Sequence, residues 1–374
     1  MQTIQFNPEE LEFHASCGEG MIDFLSEEIK QYNLKIQSSN RGGVFFIGNR
    51  YQLQNFILNT RFSSRIGFSI SKMNVESPDE LYKKASQLPW EKILPYKASF
   101  KIDSFTKDSL NHSRYALYKL KDAIRDRLRE KNRDDIIIER DLPDVVFLLR
   151  SNQNFVNIQI SLTNDSLFKR GYRLESVEAP IKETLAQALL YFSKWDKESI
   201  IIDPMCGSGT ILIEAAMLLS NKYLNYSLLS KSKVYPMLFK EIESKYKNDS
   251  ENILLYGYDK NPNAIEIAKK NAKRAGVSDK IEFKKQNLSD LKKITSSGHI
   301  ITNPPYGQRM GDEEEVKNLY KEFGELLKKE FSNYLVTLIC GNKSLLGQLK
   351  SKEENSLNIS VAKLKAKIVN YKIL

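Results

Sequence analysis

Apolar positions along this chain alternate between a period of two and a period near 3.6, and each change of period marks an element. The first strand pattern is Leu11-Glu-Phe-His-Ala-Ser16, and residues 21–30 then carry apolar side chains at 21, 22, 24, 25 and 29, a helical spacing. A strand follows at 44–47 behind the Arg41-Gly42-Gly43 turn, then a helix at 51–60 and a strand at 66–70. This βαββαβ-like rhythm predicts a ferredoxin-like α+β unit over residues 1–70. Over residues 71–165 the pattern predicts a helix from Ser77-Pro-Asp-Glu80 to Leu88, a strand at 98–103, a long helix at 111–131, and strands at 144–149 and 154–160. Residues 166–180 read as a linker of mixed character, and a helix is expected at 181–193. Strand and helix then alternate: strands at 199–203, 253–258, 281–283, 300–302 and 334–340, helices at 210–220, 262–275 and 314–329, and a basic strand-like tail at 359–373. That alternation predicts an open α/β domain over 166–374.

The chain has 374 residues, too many for one ordinary core. Its 41% hydrophobic and 28% charged residues fit a soluble globular protein. No apolar run reaches the roughly 18–20 residues of a membrane span, and the N-terminus carries no basic-then-apolar leader pattern, so a cytoplasmic protein is expected. Cys17, Cys206 and Cys340 are scattered, as are His14, His112 and His299. No metal site and no Cys–His nucleophile is expected from such spacing. The formal net charge of +10 falls almost wholly after residue 165 and points to a polyanionic partner, nucleic acid before membrane. Within the N-terminal half, the helix at 111–131 has an outer face with Arg114, Lys121, Arg125 and Arg129, interleaved with Asp122, Asp126 and Glu130. Phosphate-backbone contact and a solvated, self-paired surface are both open for it. The same holds for Arg170, Tyr172 and Arg173 in the linker, which suit either RNA contact by charge and stacking or bracing of a domain junction.

Two stretches carry chemistry. Ile200-Ile-Ile-Asp203-Pro-Met205-Cys206-Gly207-Ser-Gly209-Thr210 is an apolar strand ending in an acid, a small-residue turn, and a helix start. Glycines there admit a ligand against the backbone, and the helix start offers unpaired N–H groups. The turn has neither the third glycine of GxGxxG nor the lysine of a phosphate-cradling loop. Further strand ends carry Asp259, suited to ribose hydroxyls, and Asn287, suited to an adenine edge. The second stretch is Asn303-Pro304-Pro305-Tyr306, again at the end of an apolar run. An exocyclic amine on a nucleobase is a poor nucleophile because its lone pair is delocalised into the ring. The Asn303 amide oxygen and the Pro304 carbonyl suit its two N–H groups, the prolines stiffen the loop, and Tyr306 suits stacking on the base. Both adenine and guanine fit this chemistry. Cys206 reads as a small packed residue of the turn, and His299 and Trp90 as structural.

These two stretches resemble the cofactor and catalytic motifs of THUMP-containing class I RNA methyltransferases. Lys169-Arg-Gly-Tyr-Arg173, Ala179-Pro-Ile-Lys-Glu-Thr-Leu-Ala186, Arg41-Gly-Gly-Val44 and Leu88-Pro-Trp90 extend the resemblance over nearly the whole chain. It implies an α/β Rossmann-like class I methyltransferase domain at 166–374, a ferredoxin-like unit at 1–70 and a THUMP domain at 71–165 that binds structured RNA. It also implies S-adenosyl-L-methionine as cofactor, held by Asp203, Met205, Cys206, Gly207, Gly209, Asp259 and Asn287. Asn303, Pro304, Pro305 and Tyr306 take the catalytic positions. Members of the family methylate the N2 amine of a guanosine in large-subunit rRNA, or alternatively in tRNA. Asn-Pro-Pro-Tyr alone would equally fit N6-adenine methyltransferases. Two departures stand out: Asn287 replaces the acid usual after the third strand, and a long basic segment at 221–250 separates Gly209 from Asp259.

Overall fold

The computed structural model describes residues 6–105, 113–177, 180–239, 254–306, 313–361 and 364–373. Outside these lie the predicted helix positions 111–112 with His112, Ala179 of the linker motif, the part of the basic segment at 240–250, position 253 of a predicted strand, Gly307, and 362–363 of the tail. The chain forms two compact units: one holds Met1–Ser16, Ser26–Leu167 and Asn225–Glu243, the other Cys17–Leu25, Phe168–Leu224 and Ser244–Leu374.

The first unit is built on β1 (Phe13–Ser16), α1 (Ile22–Gln31), β2 (Lys35–Asn40), β3 (Gly43–Ile47), α2 (Arg50–Asn59) and β4 (Arg65–Asn74), the expected βαββαβ order. It continues through α3 (Pro78–Ser86), α4 (Trp90–Ile93), β5 (Ser99–Phe105), α5 (Ser113–Glu130), β6 (Ile137–Ile138), β7 (Val145–Asn152) and β8 (Phe155–Ser161). Local chemistry starts the helices: Asn49 and Gln52 form a reciprocal capping box at α2, and Ser77 caps α3 ahead of Pro78. The strands form one sheet in the order β2-β3-β1-β4-β8-β7-β5-β6. The division expected after residue 70 therefore falls inside β4, which pairs with β8 from Gly67–Ser161 to Asn74–Phe155. One sheet face is apolar, with Phe13, Phe46, Phe68, Phe100 and Phe147 buried on it. Phe56 of α2 and Trp90 of α4 pack edge-on to two of these rings. Trp90 is core, as its sequence position suggested, and its indole N–H donates to the Ala85 carbonyl at 2.7 Å.

The second unit contains α6 (Glu183–Phe192), β9 (Ile201–Asp203) and α7 (Thr210–Leu219). Two short helices follow, α8 (Tyr226–Leu229) and α9 (Tyr235–Leu238), and they belong to the first unit. Within the expected 166–374 span, the described residues 225–239 thus pack with the first unit. Asn225 explains it, because its side chain donates to the Ile57 carbonyl at 2.8 Å and the Thr60 carbonyl at 3.2 Å, at the end of α2. Ser232 bonds the Leu162 carbonyl, Lys233 pairs with Asp144, and Phe239 packs on Phe13. In the reverse sense, Phe24 of the Cys17–Leu25 segment sits against Tyr191 within the second unit.

The second unit then adds β10 (Leu255–Asp259), α10 (Pro262–Ala275), β11 (Ile281–Lys285), β12 (Gly298–Thr302), α11 (Glu313–Glu330), β13 (Tyr334–Cys340) and α12 (Lys343–Leu346). The predicted single tail strand is a hairpin arm pair, β14 (Glu353–Val361) and β15 (Leu364–Lys372). Sheet order is β11-β10-β9-β12-β13-β15-β14, parallel from β11 to β13, with β15 antiparallel to both neighbours. Strand order reverses at β9, whose neighbours β10 and β12 lead to opposite halves of the sheet. That reversal is where α/β sheets open a crevice for ligands at the carboxyl ends of their strands.

Candidate active site

β9 delivers Asp203 to the carboxyl edge, buried to 1% exposure. Burial pushes its carboxyl up to about 7, the neighbouring Asp259 carboxylate adds to that rise, and Thr302 and the Met205 N–H draw it back. The turn after it is fixed by its own backbone. The Met205 N–H donates to Asp203 Oδ1 at 3.2 Å, Cys206 N–H to the Tyr258 carbonyl at 2.9 Å, and Gly209 N–H to the Cys206 carbonyl at 2.8 Å. Gly209 needs to be glycine twice over. Its φ is +79°, and a Cβ there would stand 2.9 Å from Phe283 and 3.0 Å from the Ala268 methyl. As the residue before α7 it offers no side chain to cap the helix, so first-turn N–H groups face the turn.

Asp259, at the end of β10, accepts the Gly207 N–H on Oδ2 at 3.0 Å and the Asn261 N–H on Oδ1 at 2.9 Å. Each oxygen keeps a second lone pair. Asn287, past β11, is exposed and donates to Asp290 Oδ2 at 3.1 Å. β12 pairs in parallel with β9 through His299–Ile201 and Ile300–Ile202, so Asp203 and Asn303 leave the same edge of adjacent strands. Asn303 is half-buried, and its amide makes no hydrogen bond among the described residues. Pro304 is buried, Pro305 exposed, and Tyr306 half-buried against the core formed by β12, β13 and α11, as is Met205. Burial raises the Tyr306 phenol. Cys206 is buried, and burial, with Asp203 and Asp259 beside it, raises its thiol well above the ordinary value, which suits a packed residue and not a thiolate.

Sequence reading missed several contributors. Gly341 makes room for the aromatic ring, since a Cβ there would meet Tyr306 Cδ2 at 3.0 Å. Asn271 on α10 donates to the Ser208 carbonyl at 3.3 Å and to the Glu175 carbonyl at 3.1 Å, tying residues 175–177 across the turn. Arg274 and Lys270 hold the Glu175 carboxylate at 3.0 and 3.5 Å. The available signal was a fully buried asparagine on the otherwise apolar stripe of Ala264, Ile265, Ala268 and Ala272.

The linker residues correct an expectation. Arg170 and Tyr172 are buried rather than presented to a nucleic acid, and Arg173 is turned inward. Tyr172 donates to Glu214 Oε1 at 3.0 Å, Arg170 lies 3.7 Å from Glu214 Oε2, and Gln187 donates to the same oxygen at 2.8 Å. Arg173 donates to the Ile181 carbonyl at 2.8 Å and pairs with Glu183 at 2.9 Å. All three brace α6 and α7, because buried carboxylates need such partners. On α5 of the first unit the picture is mixed. Arg129 lies 4.0 Å from Asp126 and 3.3 Å from Asp134, Arg127 pairs with Glu91, and Lys119 with Asp79. Among the described residues Arg114, Lys121 and Arg125 make no ion pair; Lys121 lies over the Tyr118 ring at 4.9 Å. Arg125 and Arg129 line a cleft of about 280 Å³ between α5 and Tyr82 of α3.

Comparison with known proteins decides the family. Residues 170–370 match the RMKL-like methyltransferase domain, and residues 75–161 match the THUMP domain. The chain belongs to the RMKL-like methyltransferase family. It is therefore a THUMP domain followed by a class I, Rossmann-like methyltransferase domain. The ribosomal RNA large subunit methyltransferase K/L of Syntrophotalea carbinolica is 30% identical over 97% of this chain, and the match covers 54% of that relative. The chain thus spans about half the length of the curated relatives it matches. A possible methylase from Clostridium difficile 630 is 31% identical with a TM-score of 0.85, covering 97% of this chain and 98% of that one. SMU.472, a putative methyltransferase complexed with SAH, is 26% identical with a TM-score of 0.79 over 97% of this chain and 98% of its own. No helix among the described residues is long and apolar enough to cross a membrane.

Proposed function

We propose that this chain is an S-adenosylmethionine-dependent RNA methyltransferase that modifies the N2 amine of a guanosine in structured RNA, with large-subunit rRNA as substrate. The observation that carries the reading is the parallel pairing of β9 with β12, which brings the Asp203–Gly209 turn and Asn303–Tyr306 to adjacent strand ends at the point of order reversal. The turn fits the cofactor: Gly207 and Gly209 hold left-handed φ, the α7 start lacks a side-chain cap, and both Asp259 oxygens keep accepting capacity. Asp203, Met205, Cys206, Gly207 and Gly209 would cradle it, Asp259 would take the ribose hydroxyls, and Asn287 would border the adenine. Bound S-adenosylmethionine supplies a methyl group on a sulfonium, an electrophile that needs no metal.

The chain's own residues supply orientation. The Asn303 amide oxygen, without a hydrogen bond among the described residues, and the Pro304 carbonyl would accept hydrogen bonds from the two amine N–H groups and turn the nitrogen lone pair toward the cofactor side; the nitrogen, positively charged after it takes the methyl group, then loses one proton to water. Tyr306, held over Gly341, stacks on an extruded base. Such positioning lowers the barrier without a strong general base. Grip on the RNA comes from Arg114, Lys121, Arg125 and Arg129 along α5, acting on phosphates. The names of the K/L relatives support rRNA over tRNA. Mapping N2-methylguanosine in rRNA and tRNA from cells lacking the protein tests this: a large-subunit rRNA position should lose its methyl group. Loss confined to tRNA, or no loss in either, would contradict the proposal.

A further inference from the structure

Opposite the apolar face of the eight-stranded sheet lies a polar one, and its two ends meet. Arg150 of β7 and Ser16 of β1 are separated by β4 and β8 and are offset along the strands by the register. Yet Arg150 Nη2 donates to Ser16 Oγ at 3.3 Å, and Arg65 of β4 pairs with Asp103 of β5 at 2.9 Å. The sheet is therefore concave on this side, with a bulge between Ser69 and Ser71 of β4 adding to the bend.

Under these two bridges lie His14 and Gln159, at 2% and 0% exposure. Arg150 Nε donates to Gln159 Oε1 at 3.2 Å, but Gln159 Nε2, Arg65 Nη1 and His14 Nδ1 are buried without a hydrogen-bond partner. Buried polar atoms are ordinarily satisfied, so a group of such atoms on one concave surface calls for an occupant.

The charge balance names its sign. Asp103 is engaged by Arg65 and Glu12 by Lys72, whereas Arg150 makes no ion pair among the described residues. Burial, then Arg65, brings the Arg150 guanidinium down to about 10. Burial, then Arg150 and Lys72, holds His14 well below its ordinary value, so its imidazole is neutral and retains an N–H to donate. A half-buried guanidinium with unfilled buried donors around it is costly unless an anion completes the set. Phe105, 45% exposed and 4.7 Å under the Arg150 guanidinium, marks the side open to solvent.

We propose that this concave sheet face is a binding site for a phosphate-class oxyanion, held by Arg150, Arg65 and the Gln159 amide. The site lies wholly in the first unit and stands independently of the methyl-transfer reading. Free phosphate and an RNA phosphodiester share this chemistry, and the test separates them.

The full chain is titrated with inorganic phosphate against chloride at matched ionic strength, with thermal stability and ³¹P line width as readouts. Saturable broadening with a rise in Tm is expected, and Arg150→Met should weaken phosphate binding by roughly tenfold or more. Gln159→Leu, which keeps the guanidinium, provides a second weakened variant should the first not fold. Displacement of phosphate by a short single-stranded RNA assigns the site to a phosphodiester, and its absence assigns it to a small anion. No saturable phosphate effect in the wild type, or an undiminished one in both variants, would overturn the proposal.

Discussion

Asp203 sets a sign at the residue scale. Its carboxyl is raised to about 7 by burial. A carboxyl that binds its proton more tightly in the folded than in the unfolded state loses stability as pH rises. The burial penalty is absent below the ordinary carboxylate value, grows as pH climbs, and is complete above about 7. Asp203→Asn keeps an oxygen for the Met205 N–H and removes the charge. We expect it to be more stable than the wild type at pH 8, by up to about 4 kcal/mol, with the two converging near pH 4; thermal melts across that range read the difference. A gap that widens toward acid would contradict the assignment.

Residue identity was legible where a motif fixes backbone and chemistry together, as at Asn303–Tyr306. It was illegible where burial decides. Arg170, Tyr172 and Arg173 look alike in sequence whether they face solvent or Glu214. Asn271 gave a fainter hint, one polar position on an apolar stripe.

The element scale turns on α7. Its first eight residues are all buried, so the helix is central and cannot satisfy Glu214 with water. Tyr172, Arg170 and Gln187 do so instead. Glu214→Ala leaves the Arg170 guanidinium, whose side chain is 0% exposed, without its carboxylate and should cost roughly 3–5 kcal/mol in denaturant melts. Removing both charges, as Arg170→Met with Glu214→Leu, should cost less than Glu214→Ala alone. Equal or greater loss in the double variant would show that packing, not charge, dominates there.

Elements themselves read well from sequence in the second unit, because parallel strands buried on both faces appear as unbroken apolar runs. The tail was read as one strand since Ser360-Val-Ala-Lys-Leu364 contains no glycine, proline or asparagine to announce a turn. The division after residue 70 falls inside β4 for a related reason: β4 shows one strand pattern, and nothing local says that it pairs on both sides.

For the whole molecule, the surprise is how the chain is shared between units. The basic segment after α7 falls within the span expected for the methyltransferase domain, yet α8 and α9 belong to the first unit. A periodicity argument has no access to such long-range pairing, in which Asn225 caps α2 from a point far along the chain. A fragment of residues 1–167 would lack Asn225, Ser232 and Phe239 and expose the surface they cover. We expect it to melt non-cooperatively and to be cleaved early by protease, whereas a fragment joined through a short linker to residues 222–243 should resist. Equal protection of the two would contradict the shared architecture.

What Asn303–Tyr306 does beside the Asp203 turn decides the activity of the whole chain. Its most direct test incubates the purified chain with isotopically labelled S-adenosylmethionine and, in parallel, ribosomal RNA, tRNA and DNA, followed by mass analysis of the nucleosides. Label in N2-methylguanosine from ribosomal RNA is expected, with none from Asn303→Ala although that variant still binds RNA. Label in N6-methyladenosine, or undiminished transfer by Asn303→Ala, would contradict the account.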